Sequence, residues 1–213
     1  MRSKLPQKPR LLYQGQASIR IISSDGKVIY IDPYAGDGYD LPADLILMTH
    51  RHFDHCDTSM IRKRNPDCRV ISWKEALAHG RHNSFDLGYV RIRSIEAGGN
   101  PLHSRRHCVG YVLEFPAGPQ TIRVYVSGDT SRVPQMAQLA SLHINYAFFC
   151  CDGVFNMGLK EAAECAARIG AKHNIPYHMS INEIFDRRIA EQFPAADRLI
   201  LEAGEEIELE PAS

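Results

Sequence analysis

Positions 45 to 57 read LILMTHRHFDHCD, so a short apolar strand runs directly into His50, His52, Asp54 and His55, four potential metal ligands within six positions. Imidazoles crowded this densely repel one another when protonated and bury poorly, whereas a cation gives their lone pairs a common target. Histidines at i and i+2 on a tight loop can aim two nitrogens at one ion, and an adjacent Asp-His pair can serve another. This constrains the fold: further donors must come from elsewhere in the chain, and residues distant in sequence meet only where a rigid sheet presents its loops at one edge.

The chain around this cluster reads as β-rich hairpins interleaved with helices, in two roughly similar halves. Residues 17–31 alternate or run apolar about Asp25-Gly26, which predicts a hairpin. TSMIRKRNP predicts a short helix stopped before Pro66, CRVIS a strand and WKEALAH a helix. YVRIRSI, VGYVLEF and TIRVYVS read as strands, and YAFFCC as a buried one. Leu159, Ala162, Ala163, Ala166 and Ala167 recur at helical spacing up to a C-cap at Gly170. NIPYH then reads as a strand, INEIFDRRIAEQF as a helix, and RLILE and EIELE as closing strands. No linker or internal repeat interrupts this order, which predicts one domain over 1–213.

Composition narrows the function classes. The 213 residues are 44% hydrophobic and 23% charged, ordinary values for a globular protein. Twenty-five basic residues balance 25 acidic ones, so no global field draws in polyanions or anionic membranes, and nucleic acid is not the expected partner. The basic run Arg62-Lys63-Arg64, with Arg69 nearby, reads as the solvated end of a helix. No apolar run approaches the ~18 residues of a membrane span, and MRSKLPQKPR holds no segment that could act as a signal peptide. The expected location is the cytoplasm. The six cysteines are scattered, with Cys150 and Cys151 adjacent, and read as reduced thiols; Cys56, beside the histidine cluster, reads as a packing residue.

THRHFDHCD resembles the metal-binding signature of the metallo-β-lactamase superfamily, and further segments extend the likeness over nearly the whole chain. Ile31-Asp32-Pro33-Tyr34 resembles its first motif, an aspartate at a strand end. His103 in HSRRHCVGYVLE resembles the third-motif ligand, with His107 as its rival four residues on. VYVSGDT places Asp129 like the bridging aspartate, PYH places His178 like the last histidine, and FNMGLKEAAE resembles the segment leading into the helix before it. The GQAS start, IDPY and the GYV strand look most like the branch containing ascorbate-phosphate lactonase, although Gln16 stands where many relatives carry a histidine.

The resemblance implies an α/β (α+β) fold, a four-layer αββα sandwich of two mixed sheets flanked by helices. It implies that one metal takes His50, His52 and His103, the other Asp54, His55 and His178, and that Asp129 bridges them. Asp32 is expected to brace a ligand from behind. Two divalent ions, Zn²⁺ in first place with Mn²⁺ or Fe²⁺ as alternatives, would supply hydroxide at neutral pH, and Asp54 would also accept the water's proton. The expected activity is hydrolysis of an ester-like bond, lactone or phosphodiester, in a small molecule. Expected pocket walls are the 33–42 loop with Tyr34 and Tyr39, the 98–107 loop and Asn156-Met157; Arg105 and Arg106 are candidates to hold a phosphate. The alternative is an RNA-processing or nucleic-acid phosphodiesterase, or a metal-binding protein, on the same fold; the basic arm expected for gripping RNA has no counterpart here. His79, His82, His143 and His173 lack partners by spacing, and Asp44 reads as a turn residue. Oligomeric state is not legible.

Overall fold

A computed structural model describes residues 8–211 of the chain. Most of the leading segment read above for a signal peptide lies outside the described residues. The strands are β1 (Arg10–Gly15), β2 (Ser18–Ile22), β3 (Val28–Ile31), β4 (Ala43–Leu47), β5 (Arg64–Ile71), β6 (Ser84–Asp86), β7 (Arg91–Glu96), β8 (Val109–Ala117), β9 (Gln120–Val126), β10 (Tyr146–Cys150), β11 (His173–Tyr177) and β12 (Glu205–Glu208). The helices are α1 (Phe53–Cys56), α2 (Trp73–Ala76), α3 (Leu159–Ile169) and α4 (Arg187–Glu191), with a 3₁₀ stretch at Pro134–Leu142.

Two six-stranded sheets form, in the orders β12-β1-β2-β3-β4-β5 and β11-β10-β9-β8-β7-β6. Each runs antiparallel through its hairpins and then parallel: β3 with β4 and β4 with β5 in the first, β9 with β10 and β10 with β11 in the second. The two halves anticipated from sequence therefore repeat one pattern, and both sheets are mixed. Alternation along the strands sorts side chains between two cores. Tyr13, Ile19, Ile21, Ile29, Ile31, Leu45 and Leu47 face the core shared with the second sheet. Ile22, Val28, Tyr30 and Ile46 point the other way, into a smaller cluster closed by Tyr39 and Ile61. On the second sheet, α3 packs over β10 and the 3₁₀ stretch. Its apolar stripe is Ala162, Cys165, Ala166 and Ile169, and Gly170 ends it at φ 65°.

The parallel pairs matter for the site. Parallel strands release their C-terminal ends at one edge, where α/β sheets gather ligands. Asp32 follows β3, His50 to His55 follow β4, Asp129 follows β9, and His178 follows β11.

Three expectations fail. TSMIRKRNP forms only a 3₁₀ turn at Thr58–Met60, after which residues from Arg64 pair in β5, so the basic run closes no helix. Edge position explains this: β5 is the outermost strand of its sheet, where Pro66, which lacks a backbone N–H, is tolerated. INEIFDRRIAEQF is helical only at Arg187–Glu191, because Asp186 caps the helix there by accepting from the backbone N–H of Arg188 and Ile189. RLILE contributes a single bridge, Arg198 to Asn174, in place of a strand. β1, β6 and the Pro134–Leu142 stretch were not anticipated.

Candidate metal centre

The five histidines at the sheet edge present one ring nitrogen each to a common space, and the other nitrogen of three of them is held from behind. His55 Nδ1 donates to Asp32 Oδ2 at 2.8 Å. His103 Nδ1 faces Asn100 Oδ1 at 3.0 Å. Thr49 Oγ1 donates to Asp32 Oδ2 at 2.6 Å, which leaves that hydroxyl free to accept from His50 Nδ1, 3.1 Å away. In each case the proton is assigned to Nδ1 and a bare Nε2 points inward. Asp32 is thus a hub: it is fully buried, also accepts from the Thr49 backbone N–H at 2.7 Å, and sits at φ 46°.

The inward atoms fall into two groups. His52 Nδ1 lies 3.0 Å from His50 Nε2 and 3.2 Å from His103 Nε2. Across the cluster, His178 Nε2 lies 3.2 Å from His55 Nε2 and 3.7 Å from Asp54 Oδ2. Between them stands Asp129, with Oδ2 3.3 Å from His103 Nε2 and 4.0 Å from His50 Nε2, and Oδ1 3.4 Å from His55 Nε2 and 3.6 Å from His178 Nε2. Nitrogen donors bound at about 2.0–2.1 Å around a tetrahedral cation stand about 3.3 Å apart, which matches these separations. Asp129 Oδ1 is buried and has no hydrogen-bond partner, a costly state that a cation relieves. The residues therefore fit a pair of divalent ions. Groups able to hold an ion are His50, His52 and His103; His50, His55 and Asp129; and Asp54, His55 and His178.

The cluster's own charges set its protonation. Burial, reinforced by the neighbouring His55, drives His50 down to about 2. Burial also opposes charge on His55, but Asp129 and Asp32 outweigh it and push that ring up to about 9, so a cation would have to displace the proton on Nε2 to use it as a donor. Asp129 and Asp54 stay far below the usual carboxylate range: burial opposes this, and the surrounding imidazoles, with the Gln16 amide at Asp54, prevail. Both carboxylates are consequently ionised at neutral pH.

The structure brings together all seven residues implied as ligands. His103 is buried in the cluster, whereas His107 is exposed. His79, His82, His143 and His173 join no metal-competent group among the described residues. All six cysteines are unpaired, and Cys56 packs its sulfur 3.5 Å from the Arg51 carbonyl oxygen.

A family model described as the beta-lactamase superfamily domain matches residues 10–178. The chain belongs to this superfamily. A UPF0173 metal-dependent hydrolase of Bacillus cereus (strain B4264) is 28% identical, with 94% of this chain and 100% of that protein aligned. A solved structure described as a metal-dependent hydrolase of Parabacteroides distasonis is 27% identical at a TM-score of 0.69, covering 88% of this chain and 90% of that one. The metallo hydrolase Igni18 of Ignicoccus hospitalis shares the fold at a TM-score of 0.74 and 19% identity, covering 96% and 99%.

Several residues around the superfamily motifs were missed or misread from sequence. Gln16 is held at both ends of its amide: Oε1 accepts from the Ala17 N–H at 2.9 Å, so Nε2 is the end that donates to Asp54 Oδ2, also at 2.9 Å. Asn156 Nδ2 donates to Asp129 Oδ2 at 2.9 Å and to Asp152 Oδ2 at 2.6 Å. Gln16, Asp32 and His178 all adopt positive φ, and their convergence here marks strain held in place by the site. Nothing short of the folded backbone signals these contacts. Asp44 is more than a turn residue, since it accepts from Lys27 Nζ, the Val28 N–H and Asn65 Nδ2, each at 2.9 Å.

The cleft above the cluster has a volume of about 490 Å³, and Phe53, Leu102, Phe155 and Ile181 line it around the polar floor. Several expected walls lie elsewhere. Tyr39 is buried and stacked on Tyr30, Met157 is fully buried, and Tyr34 lies behind Phe53, edge-on at 5.5 Å. Arg105 pairs with Glu96 at 3.1 Å and borders a separate depression with Arg132 and Arg168, while Arg106 is exposed and outside the cleft.

Proposed function

We propose that the chain is a metal-dependent hydrolase that cleaves an ester-like bond of a small molecule at a dinuclear centre. His50, His52 and His103 would hold one cation, Asp54, His55 and His178 the other, and Asp129 would serve both. The observation that carries this reading is the placement of the two Asp129 oxygens, each turned toward a different donor group. The relatives described as metal-dependent hydrolases support the same activity.

When bound, two divalent cations supply Lewis acidity and lower the pKa of a coordinated water toward about 7. The chain's own residues do the rest. Asp54, ionised and turned to the cleft, accepts the proton of the attacking water. Gln16 fixes which Asp54 oxygen faces the centre, Asn156 anchors Asp129 through Oδ2, and Asp32 holds His55 in the tautomer that donates through Nε2. Lactones and phosphodiesters are the candidate substrates, consistent with the ascorbate-phosphate lactonase-like motifs. Zn²⁺ suits five imidazoles, and the carboxylates also admit Mn²⁺ or Fe²⁺.

A screen of lactones and phosphodiesters with and without chelator tests the activity. Hydrolysis that chelator abolishes and added Zn²⁺ or Mn²⁺ restores is the expected result; hydrolysis indifferent to chelator contradicts it.

A further inference from the structure

Seven large apolar side chains stand exposed among the described residues: Phe53, Val70, Leu102, Val154, Phe155, Ile181 and Ile184. Scattered apolar residues on a surface need no explanation, whereas a contiguous group does. Phe53, Leu102, Phe155 and Ile181 line the cleft above the metal cluster, and only Val70, on β5, and the loop residues Val154 and Ile184 fall outside that lining. The four come from separate segments: α1, the 97–108 loop, the loop after β10 and the loop after β11. One helix and three separate loops placing hydrocarbon at one opening, at exposures of 71%, 53%, 42% and 58%, make a built surface.

The charges at this opening narrow what it can take. Arg51 is the one Lys or Arg lining the cleft, and no carboxylate pairs with it among the described residues. Arg105, the other candidate for gripping a phosphate, is turned into its own depression by Glu96. A phosphodiester is anionic before and after cleavage, so on entry its charged group has to be desolvated beside this hydrocarbon with a single arginine to meet it. A carboxylic ester is neutral on entry and acquires its charge only as product.

Resting on the hydrolytic reading above, we propose that the cleft takes neutral lactones or esters bearing a hydrocarbon chain, with that chain lying against Phe53, Leu102, Phe155 and Ile181. In the lactone case, the oxygen of water bonds to the carbonyl carbon and the ring C–O bond breaks. One water proton ends on the released alcohol, the other leaves as the acid ionises, and the new carboxylate faces Arg51.

Binding and turnover are read separately. Calorimetric titration of the metal-loaded protein with butanoate, hexanoate, octanoate and decanoate measures the apolar contribution without chemistry. Full burial of a methylene is worth about 0.8 kcal/mol, a factor of about four; in this open cleft the expected gain is about threefold per methylene. The double variant Leu102→Ser/Phe155→Ser, both positions being exposed, should keep the wild-type unfolding midpoint and flatten the series. In parallel, kcat/KM is measured from γ-butyrolactone to γ-decalactone and should climb with chain length in the wild type. A rising carboxylate series that the variant flattens supports the hydrocarbon subsite even if no lactone turns over; if the phosphodiesters of the chelator screen are also left intact, the hydrolytic reading falls and the subsite stands. A flat series in the wild type, or an equal slope in the variant, overturns it. So does a flat series accompanied by a dimer that the variant dissociates, which would make this rim a contact between two copies of the chain.

Discussion

Asp32 and His55, both sealed from solvent, are joined by a 2.8 Å hydrogen bond from His55 Nδ1 to Asp32 Oδ2. The same carboxylate holds the backbone and hydroxyl of Thr49, so one buried charge fixes both ends of the histidine-rich turn. Asp32→Asn replaces an acceptor oxygen with a donor facing other donors. It should weaken metal binding about 10- to 100-fold, read by chelator competition, with every inward-facing side chain unchanged. Undiminished affinity would remove Asp32 from the account.

Gln16 offers a cleaner perturbation because it touches Asp54 without belonging to the proposed ligand set. Gln16→Ala should retain both cations and lower kcat about tenfold, in proportion to a lost hydrogen bond to a charged group of about 1.5 kcal/mol. Metal analysis beside steady-state kinetics separates the two effects. Loss of a cation in this variant would mean that Gln16 holds the ligand geometry itself.

Gly98 sits at φ 86°, and a Cβ there would stand 2.5 Å from the carbonyl oxygen of His103. Gly98→Ala should destabilise the protein by about 1–3 kcal/mol and reduce occupancy on the His50, His52 and His103 side. Thermal unfolding with metal quantitation checks both; a variant with unaltered stability would show that the loop carrying His103 relaxes freely.

Asp44 gives a pH signature remote from the metals. Burial opposes its ionisation, but hydrogen bonds from the Val28 N–H, Lys27 and Asn65 prevail and hold its carboxyl below the ordinary range. A depressed folded-state pKa contributes stability that is present above the unfolded value near 3.9 and lost as pH falls through the folded one. Asp44→Asn should therefore be less stable than the wild type at pH 7, by about 1 kcal/mol given the partly exposed Lys27, and the gap should narrow below about pH 4. A gap independent of pH would assign the loss to packing.

The apolar run LILM ending on His50 made the sheet edge legible in advance, because a buried strand that stops at ionisable residues must open onto a site. His103, Asp129 and His178 were readable by resemblance; Asp129 and His178 also lie at strand ends that the hydrophobic pattern marked, whereas His103 sits inside the loop between β7 and β8. What sequence could not convey depends on backbone placement. Gln16 reads as a departure from relatives until its φ of 50° turns the amide onto Asp54. Asn156 reads as a pocket wall and its hold on Asp129 is not legible, while Ile181 reaches the site through an irregular loop with no periodicity. The start of Arg64–Ile71 does not read as a strand because Asn, Pro and Asp are poor strand formers, and pairing at an edge of the sheet overrides that preference.

The central claim is that Asp129 joins two cations between two sets of donors. Equilibrium dialysis of the wild type and Asp129→Asn against Zn²⁺ or Mn²⁺, with total metal counted per chain, tests it most directly. The account predicts two ions in the wild type and one or none in a folded Asp129→Asn. Two ions in both proteins would contradict the bridge, and none in the wild type would contradict the centre.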